Sequence, residues 1–98
     1  MRVYISGAIT NDPNFRERFG TAEKHLLNDQ DHDMFVFNPA RFNDALPVIS
    51  YDEYLDIDFT ILKMCDAIYL LKGWENSKGA KLELGKALEW GLKIMVEE

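Results

Sequence analysis

Residues 67–91 read AIYLLKGWENSKGAKLELGKALEWG, a short apolar run followed by a loop and an amphipathic segment. The run 67–71 is apolar at every position, which is typical of a strand buried on both faces. Residues 78–90 have the pattern of a helix, and Gly91 is a suitable helix stop. The apolar residues of this helix recur at helical spacing: Ala80, Leu84, Ala87 and Leu88. The stretch therefore predicts one strand–helix unit of a parallel sheet.

The same alternation continues on the amino-terminal and carboxy-terminal sides of this unit. Residues 2–6, 34–37 and 93–96 are short β-prone runs, and they predict three further strands. With a helix in each gap, the order βαβαβαβ predicts an α/β fold, a doubly wound, flavodoxin-like (Rossmann-like) parallel sheet with helices on both faces. Right-handed crossovers favour the strand order 2-1-3-4. The whole chain, residues 1–98, is expected to form a single domain.

The two remaining helices carry recognisable start signals. Asp12 is a candidate N-cap, with Pro13 at the first helical position, and the expected buried face is Phe15, Phe19, Ala22 and Leu26. Ser50 and Glu53 have the spacing of a capping box. The core face of that second helix is expected to comprise Leu55, Phe59 and Leu62.

Composition excludes several classes of function. The chain is 47% hydrophobic and 29% charged, as in ordinary globular proteins, and no stretch predicts a membrane span. A net charge of −6 argues against nucleic acid as a partner, because phosphate backbones select basic surfaces. The N-terminus does not resemble a signal peptide, and a lone cysteine, Cys65, forms no disulfide within the chain. A cytoplasmic location is therefore expected.

In a sheet of this order, ligands bind beyond the carboxyl ends of strands 1 and 3. Strand 1 leads into Ser6 and Gly7, where the serine can donate to a ligand and the glycine permits a turn. A tight turn without a ligand explains the same residues, and the pattern leaves both open. The sequence contains neither G-x-G-x-x-G nor a P-loop, and His25, His32 and Cys65 lack metal-ligand spacing. No metal and no cofactor are therefore expected.

Strand 3 leads into a second group of candidate residues. Asn76 or Ser77 is expected to cap the helix, whose N-terminus then forms an anion site that suits a phosphate. Gly79 leaves space for a ligand, and Glu83 lies one turn deeper on the same helix face. The alternative is that Glu83 is an exposed helix residue paired with a neighbouring lysine.

Other candidates are scattered along the chain. Asp58 lies among apolar residues of the second helix, which predicts a raised pKa, although a partly exposed edge position is the alternative. Trp74 can stack on a base or cover the core. Asn38, after strand 2, is a candidate substrate-binding residue, and Asp66 is expected to hold a turn at the amino end of the sheet. Surface arginines offer further candidate phosphate contacts: Arg16, Arg18 and Arg41.

Together these elements resemble the nucleoside 2-deoxyribosyltransferase superfamily, in particular its small phage and bacterial members. The resemblance covers nearly the whole chain and rests on three motifs: Tyr4-Ile5-Ser6-Gly7, Asp58 eight residues before Asp66, and Ser77-x-Gly79-x-x-x-Glu83-x-Gly85-x-Ala87. It implies that Glu83 is the nucleophile that attacks the anomeric carbon of the sugar. It also implies that Asp58 positions that glutamate and the sugar, and that Tyr4 contacts the nucleophile or the sugar.

The resemblance also bears on substrate and assembly. Transferases of the superfamily carry an aspartate where this chain has Ser77, whereas the branch that hydrolyses 2′-deoxynucleoside 5′-monophosphates has a serine there for phosphate. This implies an N-glycosidase with a nucleotide or nucleoside substrate and a ligand cradle of Ser6, Gly7, Ser77 and Gly79. Longer members complete each site with residues of a neighbouring subunit, so a homodimer or higher oligomer is expected. A non-catalytic nucleotide-binding module and a structural domain with a vestigial site are the alternatives.

Overall fold

The computed structural model describes residues 1–9, 12–28, 34–41 and 50–98. Within these ranges the elements follow the predicted order, with a short 3-10 turn at Trp74–Asn76. They are β1 (Arg2–Ser6), α1 (Phe15–Asn28), β2 (Phe35–Phe37), α2 (Tyr51–Lys63), β3 (Ala67–Leu70), α3 (Lys78–Glu89) and β4 (Lys93–Val96).

The sheet has the strand order β2-β1-β3-β4, and all three strand pairs are parallel. Each of its faces carries a separate apolar cluster. On one face, Phe19 and other residues of α1 pack against Val3 and Ile5 of β1. On the other face, Leu62 of α2 and Ala87 of α3 pack with residues of β1 and β3. The predicted order and the helices on both faces are therefore confirmed.

The two edge strands differ from the prediction that every apolar strand is buried on both faces. The central strand β3 is buried at all four positions. In β2, however, Phe35 is 68% exposed, and in β4 Val96 is 55% exposed. The prediction is wrong for these strands because each is an edge strand with a neighbouring strand on one side only.

Helix α1 begins at Phe15, two residues later than the sequence signals suggest. The Asp12 carboxylate accepts a hydrogen bond from the backbone N–H of Asn14 at 3.0 Å, so residues 12–14 form a turn ahead of the helix. Asp12 therefore caps a turn, and the predicted start at Pro13 is wrong. The predicted buried face is confirmed, because Phe19, Ala22 and Leu26 are buried. Phe15, the fourth predicted residue, is half-buried.

Helix α2 begins with the predicted capping box. The Ser50 hydroxyl accepts from the backbone N–H of Glu53 at 3.1 Å, and the Glu53 carboxylate accepts from the backbone N–H of Ser50 at 2.9 Å. On its core face Leu62 is buried, and Leu55 and Phe59 are half-buried. This reciprocal cap fixes where α2 starts, and hence where its inward face meets the sheet.

Helix α3 begins after Ser77, whose hydroxyl accepts from the backbone N–H of Ala80 at 3.2 Å. Its stripe is buried at Ala80 and Ala87, but Leu88 is 62% exposed, so the prediction for Leu88 is wrong. Leu88 follows Ala87 by 100° of helix rotation, which carries it past the edge of the packed face. The chain leaves α3 through Gly91 at a φ of 72°, consistent with its predicted role as a helix stop.

At the amino end of the sheet, Asp66 accepts a hydrogen bond from the backbone N–H of Arg2 at 2.8 Å, which confirms its structural role. Cys65 is buried and free, His25 is exposed, and His32 lies outside the described residues. Over the described ranges, none of the helices has the length and apolarity that a membrane crossing requires.

Candidate active site

A cavity of about 590 Å³ opens beyond the carboxyl ends of the strands, where the sheet order predicts a ligand site. Its floor comes from β1, one wall from α2 and the opposite wall from the first two turns of α3. The polar and aromatic lining residues on which the site depends are Tyr4, Tyr51, Asp58, Ser77, Lys78 and Glu83.

Glu83 lies at the deep end of this cavity and is only 6% exposed. Its Oε2 accepts a hydrogen bond from the Tyr4 hydroxyl at 2.5 Å, and its Oε1 accepts one from the Ser6 hydroxyl at 2.6 Å. The expectation of an exposed glutamate paired with lysine is wrong, since Lys86 instead pairs with Glu89 at 3.5 Å. A buried carboxylate with a hydroxyl donor on each oxygen can remain charged without a salt bridge.

The strand geometry explains why two hydroxyls converge on one carboxylate. Tyr4 and Ser6 are two positions apart on β1, and residues at that spacing project from the same face of a sheet. That face is the one covered by α2 and α3. Glu83 projects from α3 toward it, one turn after Gly79.

Asp58 reaches the same cavity from α2 and is half-buried. Burial raises its pKa to about 6, and an interaction with the Tyr4 hydroxyl opposes that rise. Burial likewise raises the pKa of Glu83 to about 7, with hydrogen bonds from Ser6 and Tyr4 lowering it and the charge of Asp58 raising it. The negative charge of Asp58 thus opposes ionisation of Glu83.

The tyrosine between these carboxyls is held in its neutral form. Burial first, and then the charges of Glu83 and Asp58, raise the pKa of Tyr4 well above 10.0. The Tyr4 hydroxyl is therefore a permanent hydrogen-bond donor at neutral pH. The hydroxyl has a single proton, which it donates to Glu83 in a hydrogen bond. Neither carboxyl is neutralised by this contact.

The outer end of the cavity has positive electrostatic character, whereas the deep end holds the carboxyl groups of Glu83 and Asp58. The N-terminus of α3 opens into it, and Lys78 in the first turn adds a positive charge. A Cβ atom on Gly79 would lie 3.2 Å from the Tyr51 hydroxyl and 4.0 Å from the Ser77 hydroxyl. Gly79 therefore keeps a narrow space open beside these two hydroxyls.

Sequence reasoning missed Lys78, Tyr51 and Tyr54 as lining residues. A signal for the tyrosines was present, because positions 51, 54, 55 and 58 share one face of a helix. Tyr51 is a neutral donor as well, since burial and then the charge of Glu83 raise its pKa. Aromatic side chains on this wall offer a flat, partly apolar surface.

The proposed cradle residues Ser6 and Gly7 occupy different environments. Ser6 is fully buried, does not line the cavity and directs its hydroxyl at Glu83. Gly7 lines the cavity, and a Cβ atom there would lie 3.0 Å from Leu71. Gly7 thus allows β1 to turn against Leu71, whereas the Ser6 hydroxyl is already used within the protein.

Two other predicted site residues lie outside the cavity lining. Trp74 packs against the apolar cluster on the α2–α3 face of the sheet, which is the core-covering alternative. Asn38 is buried, donates to the Glu23 carboxylate at 3.0 Å and accepts from the backbone N–H of Ala40 at 3.0 Å. The contacts given for both residues are made within the protein and support the fold.

The three candidate arginines also lie outside the cavity lining. Arg18 pairs with Asp12 at 2.6 Å and also donates to the backbone carbonyl of Lys72. Arg41 pairs with Glu23 at 2.8 Å, and Arg16 lies over the ring of Phe15. Within the described residues, no group of three or more His, Cys, Asp and Glu side chains is arranged to hold a metal ion.

Solved structures of other proteins have folds similar to the fold of this chain. The fold is similar to that of a 2-desoxiribosyltransferase from Leishmania mexicana, with a TM-score of 0.71 and 20% identity over 97% of this chain. It is also similar to a 2-deoxyribosyltransferase from the psychrotolerant bacterium Bacillus psychrosaccharolyticus, with a TM-score of 0.70 and 19% identity over 98% of this chain. The chain spans 62% of the first protein and 71% of the second.

These likenesses confirm the predicted resemblance at the level of the fold. No curated protein is similar enough to this chain to match it in a sequence search. One family model does match, over residues 1–96, which is almost the entire sequence. The chain therefore belongs to the family described as Domain of unknown function (DUF4406).

Proposed function

We propose that this protein is an N-glycosidase that cleaves the N-glycosidic bond of a (deoxy)nucleoside 5′-monophosphate, with Glu83 as the nucleophile. The observation that carries the proposal is the Glu83 carboxylate, buried at the end of an open cavity and held there by hydroxyls of Tyr4 and Ser6. The fold shared with proteins described as 2-deoxyribosyltransferases supports the same class of chemistry.

The outer end of the cavity supports a phosphorylated substrate. The N-terminus of α3, the Ser77 hydroxyl and Lys78 all lie at this end, and together they favour an anion. Glu83 lies farther along the same helix, at the deep end of the cavity. A phosphate bound at the helix N-terminus would direct the sugar toward this carboxylate and contribute binding energy remote from the reacting bond.

The reaction requires two displacements at the anomeric carbon. The Glu83 carboxylate attacks this carbon, and the glycosidic bond breaks with its electron pair leaving on the base, which takes up a proton from water. Water then attacks the same carbon and releases the sugar phosphate, the Glu83 carboxylate and one proton. That proton neutralises the hydroxide left when the base was protonated, so the two steps together consume one water. Each Glu83 oxygen retains a lone pair beyond its present hydrogen bond, so attack does not require both donors to leave.

Asp58 and Tyr4 have supporting roles in this proposal. Above about pH 6 the Asp58 carboxyl is ionised, so it places a negative charge beside the positive charge that develops on the sugar. Tyr4 donates to Glu83 and orients it, and its hydroxyl also interacts with Asp58.

Base release tests the proposal directly. The protein is incubated with each of the four deoxynucleoside 5′-monophosphates, and free base is followed by chromatography. Wild type is expected to release base, and Glu83→Ala is not. The matched control is Glu89→Ala, which removes an exposed glutamate from the same helix and should retain activity. Equal release by Glu83→Ala and wild type would overturn the assignment of the nucleophile.

A second comparison tests the phosphate. Lys78→Ala is expected to raise KM for the monophosphate by about fivefold to tenfold, as for loss of one partly exposed charge contact. It should leave the KM for the unphosphorylated nucleoside unchanged. Lys81→Ala is the matched control, because Lys81 is an exposed lysine of α3 that does not line the cavity. An equal effect of Lys78→Ala on both substrates would contradict a phosphate contact.

The second candidate function is a non-catalytic nucleotide-binding module. It is favoured by the burial of Glu83, because burial raises the pKa of this carboxyl and favours its uncharged form, which is a poor nucleophile. This alternative predicts that a nucleotide at 100 times its Kd raises the free energy of unfolding by about 2.7 kcal/mol, which a thermal shift would reveal. No base should be released.

We further propose that the protein is a homodimer. Ile94 and Val96 lie two positions apart on one face of the edge strand β4, and both are exposed, so they present an apolar edge that a second copy of the chain could cover. Sedimentation should give about twice the chain mass of 11.4 kDa. A single species at the mass of one chain would contradict this.

A further inference from the structure

Ser6 differs from the described polar residues that line the cavity, because its hydroxyl meets Glu83 rather than the cavity itself. It is 0% exposed and does not line the cavity, and its hydroxyl donates to Oε1 of Glu83 at 2.6 Å. We propose that Ser6 is a positioning residue that holds the Glu83 carboxylate in its reactive orientation and makes no contact with the substrate. This inference rests on the proposed function, because it assigns a role within that reaction.

Two donors from one strand fix the carboxylate more firmly than one. Tyr4 holds Oε2 and Ser6 holds Oε1, so rotation of the carboxyl group about its terminal bond breaks at least one hydrogen bond. With Tyr4 alone, the group can pivot around a single anchor. Precise placement matters for a nucleophile, because small displacements from the line of attack are costly in rate.

The backbone around Ser6 is itself held in place. Ser6 pairs with Leu70 in the parallel ladder between β1 and β3, and its carbonyl accepts from the backbone N–H of Leu71 at 2.8 Å. A donor on a central strand is more rigid than one on a loop. Ser6 thus fixes Glu83 of α3 relative to the sheet.

The Ser6 hydroxyl also favours the charged form of the carboxylate. Burial raises the pKa of Glu83, and among the opposing interactions the Ser6 hydrogen bond is the largest. The other groups that act on this carboxyl are Tyr4 of β1, which lowers its pKa, and Asp58 of α2, which raises it. Tyr51 of α2 is a neutral neighbour whose own pKa is raised. Loss of the Ser6 hydroxyl should therefore raise the pKa of Glu83 further.

The test compares Ser6→Ala with Ser6→Cys, which keeps a side chain of similar size but has only a weak donor. Ser50→Ala is the matched control, because it removes a serine hydrogen bond at the cap of α2. The Glu83 carboxyl is titrated directly by its ¹³C chemical shift. Both Ser6 variants should raise the midpoint by about one pH unit, and Ser50→Ala should not move it. An unchanged midpoint in both Ser6 variants would overturn the proposal.

Kinetics provide the second readout. In both Ser6 variants, kcat/KM for base release should be about tenfold lower at about pH 6, and the deficit should shrink above about pH 8, with KM unchanged. A higher KM at every pH would instead make Ser6 a substrate contact and overturn the proposal. If wild type releases no base, the proposed function fails, while the ¹³C titration still decides whether Ser6 holds the carboxylate.

Discussion

At the scale of single residues, the site is built around one carboxylate whose burial is costly to the fold. Burial raises the pKa of Glu83 from 4.5 to about 7. Because the folded-state value is the higher one, the contribution of Glu83 to stability is most favourable below about pH 4.5 and is lost as pH rises through about 7. Such a cost is characteristic of functional positions, where stability is given up for reactivity.

Glu83→Gln should remove most of this pH dependence, because an amide of the same shape carries no charge. At about pH 8 the variant is expected to be more stable than wild type by up to about 3 kcal/mol, while below about pH 4.5 the two should be alike. Melting temperatures measured across this range test the prediction. Glu89→Gln, at an exposed position of α3, is the control and should follow wild type. A variant that is less stable at every pH would show that burial of the charge is not the cost.

Tyr4→Phe should reduce catalysis while the ring continues to fill the core. Loss of a hydrogen bond to a charged group is worth about 1.5–3 kcal/mol, which corresponds to a fall of about tenfold to a hundredfold in kcat/KM. Tyr69→Phe is the matched control, since Tyr69 is buried on the opposite face of the sheet. Base release measured with both variants decides the matter, and equal activity of Tyr4→Phe and wild type would remove Tyr4 from the site.

The family resemblance implied roles for Tyr4, Asp58 and Glu83, and the structure brings all three to one cavity. The sequence did not distinguish the function of Ser6, because a serine before a glycine turn fits a ligand contact as well as an internal hydrogen bond. The alternation of side chains along β1 contained the missing signal, since Ser6 must share a face with Tyr4. Trp74 was ambiguous for a different reason, because a loop tryptophan covers cores and stacks on ligands alike.

At the scale of secondary structure, helix α3 contains two glycines with different surroundings. Beside Gly79, a Cβ atom would lie 3.2 Å from the Tyr51 hydroxyl, whereas nothing lies within 4 Å of the Cβ position of Gly85. Both positions are helical, so alanine is intrinsically favoured at each by about 0.8–1 kcal/mol. A side chain at Gly79, unlike one at Gly85, would therefore crowd Tyr51 in the cavity lining.

Gly79→Ala and Gly85→Ala should separate the crowding of the cavity from the intrinsic effect of alanine on the helix. Gly85→Ala is expected to stabilise the protein by about 0.8 kcal/mol and to leave base release unchanged. Gly79→Ala should gain less stability, because Tyr51 must shift, and it should raise KM for the monophosphate severalfold. Thermal unfolding and KM measured on both variants test this. An unchanged KM in Gly79→Ala would show that the ligand does not approach this turn.

Helix boundaries were predictable only where the capping interaction is reciprocal. Ser50 and Glu53 fix the start of α2 through two hydrogen bonds that their spacing alone predicts. The start of α1 was predicted two residues too early, because an aspartate before a proline can equally cap a turn. In this chain Asp12 accepts a hydrogen bond from the backbone N–H of Asn14 and forms an ion pair with Arg18. The capping pattern that predicts a helix start does not include a residue six positions away.

At the scale of the whole molecule, the parallel order of the sheet was predictable because the central strands are apolar throughout and crossovers have one hand. The exposure of the edge strands was not deduced, although the order 2-1-3-4 already places β2 and β4 at the edges. Phe35 and Val96 are apolar but exposed, so composition alone does not separate a central strand from an edge strand.

The placement of the cavity follows from the same topology. Strands β1 and β3 are adjacent and parallel, so the segments that follow them open at one edge of the sheet. This brings Tyr4 within hydrogen-bonding distance of Glu83, although the two residues are 79 positions apart in sequence. We propose that this juxtaposition makes Glu83 a nucleophile.

Intact-mass spectrometry of the protein after rapid mixing with a deoxynucleoside 5′-monophosphate tests that claim most directly. If Glu83 is the nucleophile, a fraction of the chain should carry one deoxyribose phosphate unit as an ester, and peptide mapping should place the ester on Glu83. The Glu83→Ala variant should carry none and release no base. Base release that persists in Glu83→Ala, or an ester on another residue, would contradict the account.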